Sequence, residues 1–184
     1  MSADDKLESL RQRLRNLGSC LIAFSGGVDS TFLAKVAKDA LGDRALAATA
    51  CSESYPQWER DEALALAKEL GIRHRLIKTD ELSREDFAAN SPDRCYHCKR
   101  ALFASLRAIA AAEGMAWIAD GSNADDLNDH RPGRCAAIEA GVISPLLDVG
   151  LEKDDIRRLS RCLGLRTWDK PSYACLASRI PYGE

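Results

Sequence analysis

The sequence predicts an α/β fold: a parallel sheet with helices on both faces, in the Rossmann-like manner. Three observations predict it. Short apolar runs alternate along the chain with longer stretches of helical periodicity. A glycine turn, SGGVDS (25–30), joins the first apolar run to a helical one. Polar stretches follow the first, second and fourth apolar runs directly, and in open parallel sheets the carboxyl ends of strands are where ligands sit.

The elements follow in order. Leu7, Leu10, Leu14 and Leu17 fall at helical spacing, and Gly18 closes this first amphipathic helix. CLIAF (20–24) is the first strand. A helix starting near Asp29 carries Phe32, Leu33, Val36, Ala37 and Leu41 on one side and stops at Gly42, and ALAATA (45–50) reads as a buried strand. Leu66 and Leu70 mark a helix ending at Gly71, and HRLIKT (74–79) is a third, less apolar strand. Leu102, Phe103, Leu106 and Ile109 define the next helix, MAWIA (115–119) a fourth strand, VISPL (142–146) a fifth, and DDIRRLSRCLG (154–164) a last helix. Each strand-helix-strand crossover is expected to be right-handed. The polar stretches 80–98 and 120–135 are the long connections, and long loops in a compact domain are often functional. No internal repeat or low-complexity segment interrupts this order.

Composition narrows the function classes. The 184 residues suit one domain with a sizeable core. Lys and Arg number 26 against 28 Asp and Glu, a formal net charge of −2, so the molecule as a whole offers no nucleic-acid footprint. The first residues alternate charges without an apolar run, unlike a secretory signal. No stretch approaches the roughly 20 apolar residues of a membrane helix. A cytoplasmic protein without membrane or nucleic-acid partners is therefore expected. In that compartment the seven cysteines are reduced thiols, metal ligands or catalysts rather than a disulfide framework.

SGGVDS has the design of a phosphate site. Its two glycines let backbone N–H groups turn inward, and the following helix adds its positive end. Ser25 and Ser30 supply hydroxyls. The lysine of a Walker loop is missing, and a plain strand-to-helix turn is the bland reading. With a strand before it, an amphipathic helix after it and Asp29 inside it, the stretch resembles the PP-loop of the ATP pyrophosphatase superfamily. That resemblance implies cleavage of ATP to AMP and pyrophosphate. Ser25, Gly26, Gly27, Asp29 and Ser30 would form the loop, with Asp29 helping to hold Mg²⁺. Activating a carboxylate as its adenylate makes a good leaving group, and the superfamily divides by the nucleophile that then attacks.

After the fourth strand comes DGSNADDLNDHRPG (120–133), where Gly121 permits close backbone approach. Asp125, Asp126 and Asp129 either coordinate Mg²⁺ or cap the short helix that Asn123 opens. His130 reads as a solvated loop residue. Arg131 and Arg134 suit a phosphate or carboxylate, or ordinary surface.

Two cysteine stretches remain: RCYHCK (94–99), and DKPSYACLASRIPYG (169–183) with Cys175 at its centre. Together with SGGVDS and GSNADDLNDHRPG they make the chain similar to the LarE family of ATP-dependent sulfur transferases, which act in nickel-pincer cofactor synthesis. The resemblance runs from about the first helix to the last residue. It implies a small-molecule substrate, a pyridinium dicarboxylate mononucleotide, one carboxylate of which is adenylated and becomes a thiocarboxylate. Some members of the family sacrifice the thiol of one cysteine, which corresponds to Cys175, and are left with dehydroalanine. Others bind a [4Fe–4S] cluster with three cysteines that carries a sulfide, and Cys95, Cys98 and Cys175 correspond to that set. Thiolates bind such clusters, and a CxxC clip commonly supplies two. A zinc site usually wants a fourth Cys or His, and His97 between the two cysteines offers poor geometry for it. Thiol–disulfide chemistry is weakened by the polar NSPDR that precedes the clip.

Arg94, Lys99 and Arg179 flank these cysteines, where their charges lower thiol pKa values and hold a substrate phosphate or carboxylate, or simply face solvent. Cys20 and Cys162 read as small core residues, and Trp58 and Trp117 as core aromatics. The family resemblance also leaves room for a sulfur-donor protein and a homo-oligomer. Family members usually continue past SRIPYG, so residues 1–168 are expected to form the PP-loop domain and 169–184 the start of a truncated sulfur-transfer segment. The competing readings are an amidating or tRNA-thiolating PP-loop enzyme, and a nucleotide- or metal-binding module without turnover.

Overall fold

The computed structural model describes residues 1–51, 56–78, 94–128 and 132–171. Helix α1 (Ala3–Leu17) starts in a capping box: Ser2 Oγ accepts from the Asp5 N–H, and the Asp5 carboxylate accepts from the Ser2 N–H. The chain then runs through β1 (Cys20–Ala23), α2 (Val28–Leu41), β2 (Ala45–Cys51), α3 (Gln57–Leu70) and β3 (Arg73–Lys78). It continues through α4 (Arg94–Ala112), β4 (Trp117–Ala119), a 3₁₀ turn (Ala124–Asn128), α5 (Pro132–Glu139), α6 (Pro145–Asp148) and α7 (Lys153–Cys162). No helix among the described residues is long and apolar enough to cross a membrane.

Among the described residues the four strands are all parallel, in the order β3-β2-β1-β4. The two faces of the sheet are covered by different helices, and strand alternation decides which residue goes where. Cys20, Ile22, Ala45 and Ala47 pack into one core with Leu10 and Leu14 of α1, Phe32 and Leu33 of α2, and Ile156 and Leu159 of α7. Leu21, Leu46 and Ala48 face the other way, into a second core with Phe103 and Leu106 of α4 and Ala136 and Ala137 of α5. The predicted α/β fold with helices on both faces is therefore what the chain adopts.

Three details differ. The expected fifth strand shrinks to a single parallel bridge between Ile143 and Ala119. Pro145 lacks an N–H and sits at the first position of α6, so the chain turns helical where a ladder would need a donor. Trp58 is 54% exposed and Trp117 43% exposed, not core. Cys162 is exposed as well, because it falls on the outer side of α7 while Ile156 and Leu159 take the inner one.

Candidate active site

Strand order locates the site before any side chain is considered. From β1 the chain steps to β2 and β3 on one side, and β4 then lies on the other side of β1. Loops leaving β1 and β4 thus diverge, and the crevice between them is the switch point at which open α/β sheets bind ligands. The segments leaving those two strands are SGGVDS and DGSN.

They meet closely. A Cβ on Gly121 would lie 3.1 Å from the Ser30 amide nitrogen and 3.4 Å from Asp29 Cβ, so the chain after β4 passes against the first turn of α2 with less room than a side chain ordinarily takes. Gly26 has a φ of 75°, in the left-handed region, with α3 directly behind it. Gly27 is the N-cap of α2 and provides no side-chain cap, which leaves first-turn N–H groups for a ligand. Within the loop, the Ser25 N–H donates to Ser30 Oγ at 3.3 Å, the Gly27 N–H donates to Ser25 Oγ at 3.3 Å, and the two hydroxyls are 3.1 Å apart.

Asp29 is bound on one side only. Its Oδ2 accepts from Lys153 Nζ at 2.5 Å, while its Oδ1 is buried with no hydrogen-bond partner. An orphaned carboxylate oxygen beside an anion-binding loop fits a hard cation such as Mg²⁺, which takes oxygen ligands and keeps several waters. Lys153 is the first residue of α7, whose amide also donates to Asp125 Oδ2 at 2.7 Å. Asp126 accepts from the Asn123 N–H at 3.0 Å, and Asn123 Oδ1 from the Asp125 N–H at 3.0 Å. Asp126 therefore caps the short helix that Asn123 opens, whereas Asp125 caps α7 through the Lys153 amide. Asp120, buried at the end of β4, is held by the hydroxyls of Ser122 (3.0 Å) and Ser144 (2.8 Å) and by the Ser122 amide.

A further contact fixes how β1 enters the loop. Thr49 Oγ1 donates its one proton to the Phe24 carbonyl at 2.7 Å, so at its 2.8 Å contact with His74 it must accept, and His74 Nε2 must carry a hydrogen. Burial pushes the His74 pKa down, which keeps the ring neutral in that tautomer.

The cysteine clip lies in the first turn of α4, three residues apart and so on one helical face. The helix thus begins inside the stretch expected to be a connection. A helix joining two parallel strands runs back against them, which brings its N-terminus to the sheet edge carrying SGGVDS. Cys95 is exposed and Cys98 half-buried. Lys99 lies along its own helix, with Nζ 5.7 Å from the Phe103 ring centre, and a Cβ on Gly133 of α5 would come within 3.0 Å of its Cγ. The side chain of Arg94, and all of Asp129, His130, Arg131, Cys175 and Arg179, lie outside the described residues. Among the described residues no three metal-ligating side chains cluster.

Comparison with known proteins identifies the loop's lineage. Residues 5–113 match the asparagine synthase family, so the chain carries that family's PP-loop domain. It is 40% identical over 179 residues to the pyridinium-3,5-bisthiocarboxylic acid mononucleotide synthase of Lactiplantibacillus plantarum, covering 97% of this chain and 65% of that protein. The chain belongs to the asparagine synthase family, and its likeness to that synthase bears out the LarE resemblance read from the sequence. An uncharacterized protein of Synechocystis is 48% identical over 181 residues, 98% of this chain and 68% of that one. The structure of NMN synthetase from Francisella tularensis superposes with a TM-score of 0.73 at 20% identity, covering 94% of this chain and 76% of the other, a likeness of fold. The sequence reading of the loop missed Lys153, Thr49 and His74. Lys153 did carry a signal: a lysine at the first position of a helix opposes the helix dipole, a local misfit that asks for an anionic neighbour.

Proposed function

We propose that this chain is an ATP-dependent sulfur transferase acting on a pyridinium dicarboxylate mononucleotide. The reading is carried by the 40% identity, across 97% of the chain, to a synthase named for the bisthiocarboxylic product. The SGGVDS loop cradles the β and γ phosphates of ATP with its backbone amides and the Ser25 and Ser30 hydroxyls. Asp29 offers its unpartnered oxygen to Mg²⁺, which would neutralise phosphate charge, and Lys153 stands beside it as a second cation. A substrate carboxylate oxygen attacks the α phosphorus, pyrophosphate leaves, and an acyl-adenylate remains. Gly121 keeps the wall of the crevice thin enough for the two reacting groups to meet.

Sulfur then displaces AMP at the acyl carbon. Cys95 and Cys98, on one face of the α4 N-terminus, and Cys175, five residues after Lys170, are the thiolates for a [4Fe–4S] cluster. When bound, such a cluster supplies a renewable sulfide. The sacrificial alternative uses the Cys175 thiolate itself: it forms a thioester with release of AMP, and loss of the Cα proton with cleavage of the Cβ–S bond frees the thiocarboxylate and leaves dehydroalanine. Arg94, Lys99 and Arg179 are proposed to hold the substrate's phosphate or second carboxylate.

Anaerobic purification with iron and sulfide analysis separates the two sources. Equal loss of iron in Cys95→Ser, Cys98→Ser and Cys175→Ser supports the cluster. Iron-free protein that loses the mass of one H₂S at Cys175 after turnover establishes the sacrificial route. Absence of both, with no substrate-dependent pyrophosphate, refutes the assignment.

A further inference from the structure

The SGGVDS loop works as an anion nest only if its peptide groups face the right way, and one of them is held by a residue 144 positions further along the chain. Lys170 Nζ donates to the Gly26 carbonyl at 3.0 Å and to Glu62 Oε2 of α3 at 2.7 Å. The lysine side chain is only 16% exposed. No peptide bond among the described residues is cis. In a trans peptide the carbonyl and the next N–H point to opposite sides. Holding the Gly26 oxygen on the Lys170 side therefore turns the Gly27 N–H to the other, where it donates to Ser25 Oγ. Rotating that peptide would exchange the two and set a carbonyl oxygen against phosphate oxygens. Glycine makes such a rotation easy, because Gly26 has no side chain to hinder it.

We infer that Lys170, steadied by Glu62, is a positioning residue that keeps the PP-loop in its anion-accepting conformation. The inference rests on the phosphate-binding reading of the loop given above. Three features suit Lys170 to this task. A charged donor makes a stronger bond to a carbonyl than a neutral one. Glu62, which also faces Arg166 Nη1 at 3.6 Å, pairs with the ammonium and aims it at the carbonyl rather than at a phosphate. Its backbone is also fixed: the Lys170 N–H donates to the Thr167 carbonyl at 3.0 Å, and Arg157 of α7 donates to the Trp168 and Lys170 carbonyls at 2.8 and 3.0 Å. The helix that presents Lys153 to Asp29 thus also braces the strap that presents Lys170 to Gly26.

The test is calorimetric titration of the full chain with inorganic pyrophosphate, Mg-ATP and AMP, for wild type, Lys170→Met, Lys170→Arg and Glu62→Gln. Lys170→Met is expected to bind pyrophosphate and Mg-ATP about tenfold more weakly, the scale of one lost charged hydrogen bond, with AMP affinity unchanged. Lys170→Arg recovers most of the loss, and Glu62→Gln shows a smaller loss with the same selectivity. Unchanged pyrophosphate affinity in Lys170→Met overturns the inference. So does a loss shared equally by all three ligands and not rescued by arginine, which would mark general destabilisation. Should Lys170→Met fail to fold, Glu62→Gln decides: a pyrophosphate-selective loss supports the role and unchanged binding refutes it. A wild type that binds pyrophosphate but releases none from ATP in the presence of the dicarboxylate substrate refutes the sulfur-transferase reading and leaves this inference standing. A wild type that binds no pyrophosphate overturns this one.

Discussion

Lys153 Nζ sits 2.5 Å from Asp29 Oδ2, joining the first turn of α7 to the first turn of α2. Both first turns end at the same crevice, and the pair leaves the other Asp29 oxygen buried and unpartnered. A cation at a helix N-terminus is mildly unfavourable on its own. Its place here is accounted for by the carboxylate it faces and by the phosphates that the loop is shaped to hold.

Lys153→Met should therefore lower the rate of pyrophosphate formation at least tenfold, while stability changes by no more than about 1 kcal/mol, since a partly exposed pair and an unfavourable dipole contact are lost together. Steady-state pyrophosphate release and urea unfolding check the two halves. Unaltered kinetics would show that Lys153 serves only to neutralise Asp29.

Gly121→Ala tests the close approach. The added methyl would lie 3.1 Å from the Ser30 amide nitrogen, a backbone atom that moves only with the start of α2. The expected cost is about 1–3 kcal/mol of stability, as for overpacking elsewhere, with a larger proportional loss of ATP binding. Thermal unfolding with and without Mg-ATP measures both. An equal nucleotide-induced shift in variant and wild type would contradict the geometry.

His74 gives a pH dependence with a defined sign. Its folded pKa is lowered by burial below the usual value near 6.5, so the unfolded chain binds more protons in the window just below that value. Stability from this group is present above about pH 6.5 and is lost as pH falls toward the folded pKa. His74→Gln keeps an N–H donor for Thr49 but does not titrate, so its stability should fall less than that of wild type between pH 7.5 and pH 5.5. Identical slopes in denaturant melts would remove His74 from the account.

Thiol reactivity should divide the described cysteines. Burial pushes the Cys20 thiol up to about 12, so it stays protonated and closed to reagent in the native state, whereas Cys95, Cys135 and Cys162 are exposed. Timed alkylation of iron-free, reduced protein followed by peptide mass mapping should label those three early and Cys20 only on unfolding. Early labelling of Cys20 would contradict the packing of β1.

Residue patterns carried most of the fold. CLIAF and ALAATA are buried on both sides, so their apolar runs are unbroken and easily read, and the leucine spacing of α1 left little choice of face. VISPL misled because β-branched residues before a proline look like a strand, whereas the proline at the N1 position of α6 ends the pairing after one bridge. Cys162 misled because helical periodicity was read from the segment and not from its inner stripe. In the site, SGGVDS and Gly121 were legible because tight turns and close approaches demand glycine. Lys170 was not, because its partner Gly26 is 144 residues away and no local pattern links them. Whether Cys175 joins Cys95 and Cys98 lies beyond the described residues, where the sequence resemblance alone speaks.

The central claim is that ATP cleavage at this loop drives sulfur into a carboxylate. Anaerobically prepared protein, given Mg-ATP and the pyridinium dicarboxylate mononucleotide, should release pyrophosphate only when both are present, and the nucleotide product should show sulfur in place of a carboxylate oxygen by mass. Pyrophosphate release without that exchange, or none above the level seen with ATP alone, would contradict it.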